Sequence, residues 1–129
     1  MTQNNYSGSV SQFKPREIVC LEHNNSYLYG EVIQVIHWRQ LCWVRPIMLA
    51  IAPDRASYSS SNLEIIKLVD LSMTSDLLWP INLFRSALDT EVIPLLMQLE
   101  ASDSASQDIQ KARQQLHHFI DRFWQARNK

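Results

Sequence analysis

The chain has 129 residues, with 12 Lys+Arg against 13 Asp+Glu, 46% apolar and 19% charged residues, and a formal charge of -1. That is the composition of one globular domain and not of a disordered chain, and a chain this long buries roughly two-thirds of its unfolded surface without needing a metal or a disulfide. Its 2 glycines, Gly8 and Gly30, exclude the Gly-rich phosphate loops, whose backbone must approach a ligand through several glycines.

Met1 to Gln12 is polar, rich in Thr, Gln, Asn and Ser, and has neither the basic cluster nor the apolar core of a signal peptide. It reads as a flexible N-terminal tail over residues 1–12. Strand signals follow. Arg16 to His23, Tyr27 to Trp38, Leu41 to Ile51 and Leu63 to Val69 are short runs rich in β-branched and aromatic residues. Asn24-Asn25-Ser26 is a turn cluster, because Asn tolerates a left-handed backbone. Trp38-Arg39-Gln40 suits a hairpin loop, and Pro53-Asp54 with Ser57 to Asn62 forms a polar loop. Pro46 cannot donate to a central ladder, so it marks an edge or a bulge. Short sequential strands with tight turns predict a small antiparallel barrel or a curled sheet, and the barrel is placed over residues 13–70.

The pattern then changes. Ile81 to Leu88 reads as a helical turn started by Pro80. Asp89 can cap a helix over Thr90 to Leu99, with Glu91 in its first turn and Pro94 positioned to bend it or shift its start. Ala101 to Ser106 is a polar linker. Ser104 and Gln107 fit a capping box for the last helix. There Ile109, Ala112, Leu116, Phe119, Ile120 and Phe123 recur at helical spacing. Strands followed by two or three helices predict an α+β fold, with a helical region over residues 71–129 packed on the barrel.

Phe13-Lys14-Pro15-Arg16-Glu17-Ile18-Val19 resembles the opening strand of SH3-like small barrels. Leu28 to Val35, with Gly30 at its bend, resembles their second strand, and Trp43-Val44-Arg45-Pro46 their third. These matches cover about 55 residues. Leu28 to Val35, Leu41 to Pro46, and Leu77 to Pro80 with Asp89 to Leu96 also resemble small conserved cyanobacterial proteins of unassigned function. That resemblance implies a cytosolic or thylakoid-peripheral setting and brings no activity with it.

Few constellations carry chemistry. Among His23, His37, His117 and His118 no pair has the i, i+4 spacing of two helix ligands, and Cys20 and Cys42 have no CxxC neighbour. Both cysteines lie in apolar strand-like runs, which predicts reduced, buried thiols. Glu17, Glu22 and Glu31 read as solvent-facing groups of alternating strands. No catalytic, cofactor or metal assignment follows, and the chain is read as a non-enzyme.

Aromatic residues interleaved with arginines give the functional expectation. Tyr29, Trp38, Arg39, Trp43 and Arg45 lie in the strand region, while Trp79, Phe84, Arg85 and Trp124 lie beyond it. Trp and Arg are favoured interface anchors. These nine residues are the expected contacts of a protein–protein interaction module, an adaptor or an accessory subunit, bound to another protein or to a second copy as a homodimer. The alternative is a weak small-barrel RNA or DNA binder. Its electrostatics are poor, since residues 1–50 hold 4 cations against 3 carboxylates. No apolar run reaches the roughly 20 residues of a bilayer span. The expected location is the cytoplasm, at most peripheral to a membrane complex.

Overall fold

The structure, a computed structural model, describes residues 13–52, 67–101 and 108–127. Its elements are β1 (Ile18–His23), β2 (Ser26–Ile36), β3 (Leu41–Ile51), β4 (Lys67–Asp70), β5 (Leu77–Pro80), β6 (Arg85–Ser86), α1 (Asp89–Ala101) and α2 (Ile109–Arg127), with 3-10 turns at His37–Arg39 and Ile81–Leu83. The fold is α+β: an open, six-stranded antiparallel sheet with two helices. The predicted tail, the loop with Tyr58, residues 63–66 of the fourth predicted strand and the Ser104/Gln107 cap lie outside the described residues.

The sheet order is β4-β3-β2-β1-β6, and β5 also pairs with β3. One long edge of β3 pairs with β2, and its other edge is shared. Leu41–Val44 takes β5 and Met48–Ile51 takes β4. Pro46 falls in the gap between those two ladders, where its missing N–H costs nothing. It faces Gly30, beside a register irregularity at Tyr29/Gly30. A Cβ on Gly30 would collide with Val44 Cγ1 and lie 3.1 Å from the Arg45 carbonyl oxygen, so the close approach of β2 to β3 requires glycine there.

The sheet continues past Asp70 to Ser86. The predicted helical turn over Ile81 to Leu88 is helical only at Ile81–Leu83; Arg85–Ser86 then pairs with Val19 and Cys20 of β1. Two buried residues, Ile81 and Phe84, drive this path by pulling the link into the core. The link has a geometric consequence. Along β5-β3-β2-β1-β6 the outer strands are four spacings apart, roughly 19 Å in a flat sheet. Residues 81–84, three of them in a 3-10 turn, span about 13 Å at ordinary rises. The sheet must therefore curl, bringing its far edges towards each other.

A helix packs on each face of the sheet, which is why the strand sequences read as nearly continuous apolar runs. Val19, Leu21, Leu28, Val44 and Leu49 face the main core, closed by Ala112, Leu116, Phe119 and Phe123 of α2. Cys20, Tyr29, Met48 and Ala50 face the other side, under Val92 and Leu95 of α1. Helix α2 buries Ala112, Leu116, Phe119 and Phe123 of its predicted stripe, with Ile120 half-buried and Ile109 exposed. Its cap is Asp108, whose Oδ1 accepts from the N–H groups of Gln110 at 3.0 Å and Lys111 at 3.4 Å. Helix α1 begins ahead of Pro94 and runs through it. The Leu88 carbonyl accepts from the N–H groups of Glu91 and Val92 at 2.9 Å. The Glu91 carboxylate reaches back to the Leu88 N–H at 3.3 Å, which is half of a capping box. No helix of the described residues is long and apolar enough to cross a membrane.

Candidate functional site

Helix α1 covers only part of its sheet face. In β3 the residues facing the main core change parity, from Cys42 and Val44 to Leu49. Leu41, Trp43 and Arg45 therefore share the face of Met48 and Ala50, but lie beyond the helix. Three cross-strand rows pave this uncovered half. They are Ile36–Leu41–Pro80, Gln34–Trp43–Leu78, and Glu31–Arg45 with Asp76 beside it. Ile36, Leu41, Trp43 and Leu78 belong to neither core, and Leu78 is 51% exposed. At the end of the hairpin Trp38 is 84% exposed, and the Arg39 guanidinium stacks 5.4 Å from its ring centre.

Polar bonds hold this surface flat. Arg45 donates from Nε to Asp76 Oδ1 at 3.1 Å and from Nη2 to Oδ2 at 3.2 Å, while the Trp43 indole N–H donates to Oδ2 at 2.8 Å. The hydrogen bonds from Arg45, aided by that from Trp43, hold the Asp76 carboxyl below its ordinary range. Trp43 thus presents its apolar ring with its polar handle already satisfied.

The other expected contact residues sit elsewhere. Tyr29 is fully buried beneath α1 and Phe84 is buried in the main core, so neither can be a surface contact. The physical reason is that a helix lies on each face, so residues on both sides of β2 are enclosed. Trp79 and Trp124 are half-buried and pack together at 5.0 Å between ring centres, beside Phe123 at 5.7 Å from each. They clamp α2 to the sheet. Arg85 is exposed but is the hub of a network within the chain. It donates to Glu22 Oε1 at 3.2 Å and grips both oxygens of Glu91 at 3.1 and 2.8 Å. The buried Tyr29 hydroxyl donates to Glu91 Oε2 at 2.5 Å. Burial pushes the Tyr29 hydroxyl well up, helped by Glu91. Burial also raises Glu91, but the bonds from Arg85 and Tyr29 outweigh it and the carboxyl titrates below its ordinary value.

Sequence reasoning missed Ile36, Leu41 and the role of Asp76. The period-two pattern Leu41, Trp43, Arg45 could have found Leu41; nothing in the chain marks Asp76, which reaches Trp43 and Arg45 from 33 and 31 residues away.

The cysteines lie on opposite sides of the sheet, Cys42 in the main core and Cys20 under α1. Both are free. Burial pushes the Cys20 thiol up to about 12 and the Cys42 thiol up to about 11. Neither supplies a thiolate at neutral pH. Ellman's reagent should therefore titrate no thiol in the native protein within minutes and both after denaturation; rapid native reaction of one would place it in an accessible site. Among the described residues no three His, Cys, Asp or Glu side chains are grouped to hold a metal ion.

Comparison with known proteins found no matching family model, no similar curated protein and no similar solved structure.

Proposed function

We propose that the chain is a non-enzymatic protein–protein interaction module, an adaptor or accessory subunit, that docks through the half of its sheet face left bare by α1. The observation that carries this reading is the row of Ile36, Leu41, Trp43 and Leu78, apolar side chains that sit together over three strands and belong to neither core. Contiguous apolar surface of this kind is uncommon on monomers without a use. A rigid indole with its N–H already bonded, and a second indole at the hairpin tip, are suitable anchors. The partner is a protein that offers an apolar patch, with a carboxylate to meet Arg39.

Electrostatics support a protein over a nucleic acid. Arg45 and Arg85 are each committed to carboxylates of the same chain, which takes both away from any phosphate-binding face of the sheet. The strand order β5-β3-β2-β1-β6, with a 3-10 turn between the last two strands, supports reading the sheet as an SH3-like small barrel with two added helices. We place its action in the cytoplasm.

The test compares two lysine substitutions at exposed apolar sites. Leu78→Lys should abolish recovery of a stoichiometric partner from native lysate, or of a homodimer seen by light scattering. Ile93→Lys, on the outer side of α1, should leave either intact. A monomer that recovers no stoichiometric partner overturns the proposal. So does retention of labelled oligonucleotides at low salt that Arg39→Ala and Arg45→Ala weaken, which would make the chain a nucleic-acid binder.

A further inference from the structure

A groove runs between the β1–β2 turn and α2, away from the docking face. It is a cleft of about 350 Å³ whose walls include His23 and Asn24 on one side and His118 and Arg122 on the other. Leu49 and Phe119 contribute an apolar floor. A second concavity of about 440 Å³ shares His23, Asn24 and Arg122 and extends towards the end of α2. These three residues line both concavities.

The wall on the turn side is built rigidly. Asn24 has a left-handed backbone, with φ 54°. Asn25 is tied to the end of β3 twice: its Nδ2 donates to the Ala52 carbonyl at 2.8 Å, and its own carbonyl accepts from the Ala52 N–H at 2.9 Å. The His23 ring stands edge-on to Phe123, 6.2 Å between centres. On the other wall, His118 and Arg122 are four residues apart in α2, so they project from one helix face.

The chemistry of the lining is one-sided. Among the described residues it holds a guanidinium, two imidazoles and side-chain amides, and no carboxylate. Elsewhere the described arginines Arg45 and Arg85 answer carboxylates of the chain. Arg122 instead faces a groove of donors above an apolar floor. A cleft of this volume with few convergent polar groups is the size of a small-molecule site. We propose that the groove binds a small organic anion, its acidic head held by Arg122, His118 and His23 and its apolar body laid against Phe119 and Leu49. The site is separate from the docking face and does not depend on the protein-binding reading.

Titration of the isotope-labelled full chain, followed by amide NMR, tests this with three one-ring probes. Phenyl phosphate and benzoate carry the two candidate heads, and benzyl alcohol carries none. Saturable shifts confined to residues 23–26 and 115–126 are expected with at least one anion, and the tighter of the two identifies the head. Benzyl alcohol should bind at least tenfold more weakly. Arg122→Gln and, independently, His118→Gln should each weaken the anion at least fivefold, with the spectrum itself reporting that the variant is folded. Arg113→Gln, elsewhere on α2, should change nothing. Absence of saturable shifts with both anions, equal binding of benzyl alcohol, or indifference to both groove variants overturns the proposal.

Discussion

Replacing Phe123 by alanine should destabilise the protein by about 3–5 kcal/mol, the range for an aromatic removed from a filled core. Phe123 is 2% exposed and lies in the main core. Its ring stacks with Phe119 at 6.1 Å and Trp79 at 5.7 Å, meets Trp124 at right angles, and carries the Arg127 guanidinium 4.9 Å from its centre. Aromatic pairs of this geometry contribute about 0.5–1.5 kcal/mol beyond area burial. For a chain of this length the melting temperature should fall by roughly 10–20 °C. Fluorescence should shift to the red, because Trp79 and Trp124 lose the ring packed against both. A loss below about 1 kcal/mol by chemical denaturation would mean that α2 is held by something other than this cluster.

Glu91→Ala should cost about 2–3 kcal/mol, the penalty for leaving a buried donor without an acceptor. The carboxylate joins the Tyr29 hydroxyl, both arms of Arg85 and the Leu88 N–H, so its loss frees the start of α1 and strands Tyr29 beneath it. Tyr29→Phe should cost less, since Arg85 still satisfies Glu91. The two substitutions together should cost less than the sum of the singles, because they share a partner. The sign of the pH effect follows from the shifts. Glu91 and Asp76 titrate below their ordinary values, so their contribution is present at neutral pH and is lost as the pH falls below the usual carboxylate range. Cys20, Cys42 and Tyr29 are pushed up, so the folded state holds their protons longer, and stability falls as the pH rises above about 9. In Glu91→Ala the acid limb should be shallower in denaturation curves taken from pH 3 to pH 7. An unchanged limb would show that Glu91 does not link α1 to the sheet.

Where a segment was long and its pattern regular, the chain could be read closely. Leu41 to Ile51 is the third strand as expected, and Ala112, Leu116, Phe119 and Phe123 are the buried stripe of α2. Shorter elements escaped. In Leu77–Pro80 a Pro after three apolar residues looks like the start of a helix. The segment's role as a strand comes from pairing with residues 41–44, which no local pattern reveals. The two residues of β6 are below any periodicity. The candidate surface was half legible. Trp38, Arg39, Trp43 and Arg45 stand on it, but Trp79, Phe84 and Trp124 are drawn inward, and Arg85, though exposed, is held by Glu22 and Glu91. Aromatic and arginine content marks both anchors and cores, and only the packing of α1 and α2 separates them. Tyr29 is decided by one helix landing over it.

The short link from β5 to β6 bears on how the molecule is made. Val19 finds its second neighbour in Ser86, 67 residues later, so β1 keeps a bare backbone edge until most of the chain has been synthesised. Pairings this distant in sequence favour slow closure, and an unsatisfied edge is a template for other nascent chains. A fragment that stops near residue 70 would carry that bare edge permanently, and lack the helices that seal both sides. Such a fragment should precipitate or require chaperones, whereas in the whole chain β6 covers that edge once the last third arrives.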